Sequence, residues 1–165
     1  MTANGIITYG NSVLRSPAEN VEEFNDEIKA LIERMYVVMA EVRGLGLAAP
    51  QMGVPKRIFV YDVGEGPHAL VNAKIVSSKG EEVSIEGCLS IPGLQGEVPR
   101  AEKVVVAGID ENGKKVKIKA EGLLARVLQH EMDHLDGTLF VDRADPETLE
   151  TVSAADHEEG GARED

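Results

Sequence analysis

The chain has 165 residues, 42% of them hydrophobic, and a formal net charge of −12. That length suits one compact domain with its own core, and no apolar run approaches the roughly 18 residues a membrane helix needs. The acidic balance disfavours direct binding to nucleic-acid phosphates, and the single cysteine, Cys88, excludes an internal disulfide and fits a reducing compartment. The opening residues, MTANGIITYGNSVLRSP, lack the basic start and apolar block of a secretory signal, so a cytoplasmic protein is expected.

In chain order, residues 25–43 read first as a helix. Ile28, Leu31, Ile32, Met35, Met39 and Val42 fall on one stripe, Asn25 is a fitting N-cap, Asp26 and Glu27 occupy the first turn, and Gly44 is expected to supply the stop. The stretch GLGLAAPQ (44–51) follows. A nucleotide loop is its obvious rival reading, but a third glycine at dinucleotide-binding spacing and a Lys-Ser/Thr pair are both missing. Small residues also let a backbone approach a ligand or another backbone closely, and Gln51 offers amide donors for a developing oxyanion.

Strands are expected at 57–63 and 68–78, around a Gly-Pro loop, and at 103–110 and 114–121. The last two flank Asn112-Gly113, a two-residue hairpin signal, and Val116, Ile118 and Ala120 alternate with lysines as in a half-buried strand. A second helix is expected at about 122–136, apolar on more than one side and therefore central, closed by Gly137. Pro146 is placed to begin a short last helix. Residues 144–165 hold eight acids against Arg163 alone and are expected to form a largely disordered tail, with 1–143 as the catalytic domain. A helix, a run of strands and then a central helix indicate a single-domain α+β fold.

The second helix carries QHEMDH (129–134). His130 and His134, four apart, share one helix face, where two imidazoles can bind one divalent metal, and Glu131 lies close enough to reach a metal-bound water. A solvated helix with two incidental histidines is the competing reading. A catalytic site of this kind takes a third protein ligand. Downstream stand only His157 and the acids of the tail. Upstream is EGCLS (86–90), whose Cys88 would be a soft ligand suited to Fe(II) or Zn(II), although a lone cysteine is more commonly a small buried hydrophobe. Leu123, Val127, His130 and His134 are spaced by four, three and four, so the same face continues into an apolar stretch that could take a substrate side chain. Glu86 and Arg100 are expected to pair and fix the loop bearing Cys88.

Together and in this order, GLGLAAPQ, EGCLS and QHEMDH resemble the three signature motifs of the peptide deformylases, and the similarity runs over about residues 5–143. The resemblance implies a metalloenzyme that removes the formyl group from the N-terminal formyl-methionine of new proteins. It implies Cys88, His130 and His134 as metal ligands, Glu131 as catalytic acid–base, and the Gln51 side chain and Leu89 N–H as oxyanion donors. Substrate contacts are expected from Gly44, Leu45, Gly46, Gly87, Leu123, Arg126 and Val127. Fe(II) is the metal expected in the cell, with Zn(II), Ni(II) or Co(II) as substitutes. The expected partners are formyl-methionyl peptides, without nucleic acid or membrane, and the expected state is a monomer.

The chain departs from the pattern twice. Where some deformylases carry a substrate-contacting arginine after CLSIP, Gln95 stands here, so no arginine clamp is assigned. The acidic tail differs from the basic C-terminal helix that lets some relatives touch the ribosome, so a ribosome contact through the tail is not expected. Two other classes stay open: an H-E-x-x-H metallopeptidase, which needs a third ligand downstream, and a non-catalytic metal-stabilised peptide-binding domain, which needs a closed four-ligand site.

Overall fold

Alternating apolar residues sort the chain into two antiparallel sheets, and two striped segments become its main helices. The computed structural model describes residues 5–152. In order, the elements are α1 (Asp26–Glu41), β1 (Gly46–Ala48), β2 (Ile58–Tyr61), β3 (His68–Lys79), β4 (Glu82–Cys88), β5 (Ile91–Arg100), β6 (Lys103–Ile109), β7 (Lys115–Glu121), α2 (Gly122–Leu135), α3 (Phe140–Arg143) and β8 (Glu150–Thr151). One sheet has the order β1-β2-β3-β6-β7 and the other β4-β5-β8. This is the expected α+β class. Among the described residues no helix is long and apolar enough to cross a membrane.

α1 buries Ile28, Leu31, Ile32, Met35, Val38 and Met39 against one face of the larger sheet, beside Ile58, Val60, Ala69 and Val71. Each such side chain contributes on the order of 1.5–3 kcal/mol relative to exposure. α2 packs on the opposite face, its Ala125, Val127, Leu128 and Leu135 meeting Phe59, Tyr61, Leu70, Val104 and Val106. The sheet is thus sandwiched, and α2 lies between it and the smaller sheet. The N-terminal arm crosses behind: Ile7 N–H donates to Gln51 O at 2.7 Å, Tyr9 N–H to Ser90 O at 2.7 Å and Ala18 N–H to Leu135 O at 2.8 Å.

Four local expectations need correction. Asn25 caps α1 as expected, its side chain accepting from Ile28 N–H. At the other end, however, the left-handed residue is Arg43 (φ 56°), not Gly44. Arg43 N–H donates to Ala40 O and Gly44 N–H to Met39 O, the paired bonds of a Schellman end. Gly44 is small for a different reason: a Cβ there would meet Leu89 Cδ1 at 3.2 Å. The β6–β7 hairpin exists, but its loop is three residues. Asp110 pairs with Lys114, Gly113 takes φ 79°, and the Asp110 carboxylate accepts from the N–H groups of Asn112 and Lys114. That side-chain turn outcompetes the two-residue form.

β5 is absent from the expected strands, and it carries Pro92 and Pro99. Pro99 stands opposite Val83, where β8 no longer runs alongside, since β8 pairs only with Leu94 and Gln95. Finally, the domain boundary at 143 falls too early. Ala144 is buried, Asp145 N–H donates to Glu97 O, and Leu149 lies over Gly96, where a Cβ would be 2.7 Å from its Cδ2. Residues 144–152 therefore dock on β5: their acids are exposed, and Ala144 and Leu149 face in. Pro146 begins only a three-residue 3-10 turn. Residues 153–165, with His157, lie outside the described residues.

Candidate metal centre

The site is built where the end of β4 meets the middle of α2. From Ala125 to Leu135 every residue of α2 is buried, so its polar side chains are held between the two sheets. The helix ends as expected at Gly137 (φ 78°), with Gly137 N–H on His134 O and Thr138 N–H on Asp133 O. One turn apart on the helix, the rings of His130 and His134 lie 5.1 Å between centroids. Cys88 closes β4 at an irregularity in the β4–β5 pairing, and its Sγ is 3.3 Å from His134 Nε2.

One donor atom from each of Cys88, His130 and His134 lies within 4.8 Å of the others, and all three residues are buried. Tetrahedral bonds to sulfur and nitrogen at about 2.3 and 2.1 Å would put those atoms about 3.6 Å apart, so this donor set fits one divalent metal. Burial first, with the neighbouring His130 and Arg100 adding to it, holds the His134 pKa well below its ordinary value. The imidazole is therefore neutral, as a ligand must be.

The glycine stretch supplies the wall opposite. Gly46, in β1, passes so close to α2 that a Cβ there would stand 2.7 Å from Glu131 Oε2. Glu131 is itself fully buried. Gln51 sits on the 3-10 turn after β1. Its Oε1 accepts from Ala48 N–H at 2.9 Å, which turns the amide nitrogen toward Ser90 Oγ (3.1 Å) and Cys88 Sγ (3.8 Å). Leu89 lies between those two residues, its side chain packed against the core under α1. Gly87 is buried in β4 opposite Gln95.

Glu86 is the hub behind the ligands. Its Oε1 is 2.8 Å from His130 Nδ1, which directs His130 Nε2 to the donor cluster. Arg100 donates to both Glu86 oxygens, Nε to Oε2 at 2.7 Å and Nη2 to Oε1 at 2.8 Å, so the expected pair is present. Burial works against ionisation of Glu86, but the bonds from Arg100 and His130 outweigh it and hold its carboxyl well below the usual carboxylate range.

Arg126, expected among the substrate contacts, is instead buried. It turns inward, and its Nη1 donates to Glu86 Oε2 at 2.6 Å and to Val98 O at 2.9 Å, while Nη2 donates to Glu82 O at 2.7 Å. Val127 is packed in the core between α2 and the larger sheet, Leu45 lies partly buried beside it, and Leu123 is 43% exposed on the first turn of α2. Gln95 turns away from the site, donating to Glu150 at 2.9 Å.

The sequence reading missed Asp133, Arg143 and Ser90. Asp133 accepts from Arg100 Nη1 at 2.7 Å and from both Nε and Nη2 of Arg143, extending the ionic chain from His130 out to the surface. Its place one turn from His130 was the only available signal, since its partners lie in other elements.

Known proteins are similar to this chain over most of its length. A family model described as polypeptide deformylase matches residues 3–150. The peptide deformylase of Carboxydothermus hydrogenoformans is 50% identical over 145 residues, covering 88% of this chain and 95% of that protein. That of Desulfitobacterium hafniense is 50% identical over 139 residues, covering 84% and 93%. Among solved structures, peptide deformylase from Thermotoga maritima superposes with a TM-score of 0.83 at 44% identity, over 86% of this chain and 97% of that one. The Synechococcus elongatus peptide deformylase in complex with actinonin gives 0.83 at 47% identity, over 85% and 78%.

Proposed function

The chain belongs to the polypeptide deformylase family, a metal-dependent group of enzymes acting on nascent polypeptides, and from that premise we propose how its own residues divide the work. The reading is that Cys88, His130 and His134 hold one divalent metal, Fe(II) in the cell, with Zn(II), Ni(II) or Co(II) accepted. A thiolate beside two imidazoles suits these ions far better than Mg(II) or Ca(II). The substrate is the formyl-methionyl end of a newly made chain, and the products are formate and a free methionine amine.

When bound, the metal supplies Lewis acidity toward a water and the formyl carbonyl. Glu131 takes the proton of the attacking water and returns it to the departing amine as the C–N bond breaks. The Gln51 amide and Leu89 N–H donate to the formyl oxygen as charge develops there. Gln51 arrives pre-aimed, because Ala48 N–H fixes its oxygen and leaves the nitrogen facing the sulfur side. Glu86, held by Arg100 and Arg126, orients His130. Substrate contacts are assigned to the backbone of Gly44, Leu45, Gly46 and Gly87 and to the Leu123 end of α2. This reading places the enzyme in the cytoplasm, where formylated chains are made.

The observation that carries it is the buried cluster of three donors with Glu131 next in sequence to one of them. The third donor lies upstream, at Cys88, which disfavours the metallopeptidase alternative. Anaerobic purification, metal analysis and formate release from formyl-Met-Ala-Ser test it. Wild type is expected to carry about one metal and release formate, Glu131→Ala to keep metal without activity, and Cys88→Ala to lose metal. Metal without formate release in reduced wild-type protein would reject the assignment.

A further inference from the structure

Seven of the nine lysines lie between residues 74 and 119, and six of them are on β3, β6 and β7. Strand register sorts them by face. Lys79 stands opposite Lys103, and Lys103 opposite Glu121. Two residues along, Ser77 faces Val105, and Val105 faces Lys119. Next on β6 comes Ala107 opposite Lys117, and then Ile109 opposite Lys115. Ile109 packs in the core under α1, so all these residues share the face on which α1 sits. α1 covers β1, β2 and the near ends of β3 and β6. Beyond it, Lys79, Lys103, Lys115, Lys117 and Lys119 are exposed, and Glu121 is the one carboxylate the register puts among them.

Two observations separate this face from an ordinary solvated surface. Lysines on the β7 edge, and on the far half of β3 where β2 no longer pairs, are a common guard against edge-to-edge pairing, but Lys103 is on the interior strand β6. Like charges directly opposite in a sheet are destabilising, and the Lys79–Lys103 pair keeps that cost. Among the described residues only Lys103 of the five makes an ion pair, with Glu121 at 3.6 Å.

We propose that this face binds the phosphodiester backbone of RNA. Ammonium groups two residues apart along β7 repeat at about 6.7 Å, and neighbouring strands are about 4.8 Å apart, a regular array suited to a polymer with charge at every repeat. Between the lysines the register places only Ser77, Val105 and Ala107, which offer no aromatic platform for bases and no large apolar anchor. That argues for backbone contacts without base readout, and against an acidic protein or a membrane, which would use such anchors. The net charge of −12 opposes long-range attraction, but within a Debye length the local array governs. No residue of the metal centre takes part. Only the choice of RNA over other phosphodiesters rests on the nascent-chain reading.

The test is fluorescence anisotropy of a labelled oligouridylate with the full, metal-loaded chain, titrated over a range of KCl, with formate release measured separately on the same samples. Contacts to three to five phosphates predict a slope of about −2 to −3.5 in log K against log salt. The triple variant Lys103→Glu, Lys117→Glu, Lys119→Glu should bind at least tenfold more weakly, with a slope shallower by about 2 and unchanged formate release. The triple glutamine variant, milder for folding, should weaken binding in the same direction. Undetectable binding at the lowest salt, or variants that bind like wild type, would overturn the proposal. So would saturable binding of oligoglutamate with none of RNA, which would assign the face to an acidic protein segment. Loss of formate release with RNA binding intact would count against the proposed function alone.

Discussion

At the scale of single residues, the site depends on what is small as much as on what is charged. Gly46→Ala would drive a Cβ to within 2.9 Å of Glu131 Cγ and 2.7 Å of Oε2. The carboxylate, fully buried, must move. Formate release is expected to fall by roughly ten- to a hundredfold with metal content unchanged, since a displacement of about 1 Å of a positioned group costs that much. Full activity in Gly46→Ala would show that Glu131 has room to spare. Glu86→Ala is expected to act on the metal instead. It leaves buried Arg126 without a carboxylate, Arg100 with Asp133 alone and His130 Nδ1 without Glu86, so metal affinity in a chelator competition should drop about 10- to 100-fold. Stability should fall by about 3–5 kcal/mol. The residues proposed for the chemistry could be read from short motifs, because each lies in a run of a few characteristic residues. Arg126 and Asp133 could not. Arg126 meets Glu86, 40 positions away, and Asp133 meets Arg100, 33 positions away, so no local pattern marks either pairing.

At the scale of elements, two ends invite measurement. Arg43 ends α1 in the left-handed conformation, which costs a side-chain-bearing residue about 1–2 kcal/mol; glycine would relieve this and return part through unfolded-state entropy. Arg43→Gly should therefore raise stability by about 0.5–1 kcal/mol in urea unfolding, and a loss would mean the Arg43 side chain makes a contact worth more than the strain. Asp142 accepts from Leu139 N–H at the start of α3 and pairs with Arg15 of the N-terminal arm. Burial opposes its ionisation, but Arg15 and that N–H hold its carboxyl below the ordinary aspartate value of 3.8. Such a group stabilises the fold above its unfolded pKa, and the contribution is lost as pH falls through the folded value. Asp142→Asn should accordingly lower stability near neutrality and flatten the curve on the acid side; parallel curves for the two proteins would dismiss the pair. The apolar stripe of α1, the Asn25 cap and the Gly137 stop were legible because their signals are local. β5 was hidden by its prolines and β1 by its glycines, since each is a strand only because a neighbouring strand pairs with it.

At the scale of the molecule, the donors join elements distant in sequence, so metal binding and folding are linked. Cys88 belongs to the smaller sheet and both histidines to the helix on the larger one. A metal held at 100 times its dissociation constant adds about 2.7 kcal/mol to stability. For a chain of this size removal by chelation should lower Tm by roughly 5–10 °C, and equal Tm values with and without metal would mean that the donors are not bridged.

The N-terminal arm carries that dependence into the order of synthesis. Its amides end on carbonyls of Gln51, Ser90 and Leu135, one in each of the three segments that form the centre. The arm, translated ahead of all three, therefore finds its last partner only when α2 emerges. The arm must wait, unsatisfied, through most of its own translation. An incomplete copy has neither its metal donors assembled nor its leading segment tied down. The enzyme thus comes into being in one late step, and partial chains are open to proteases until it does.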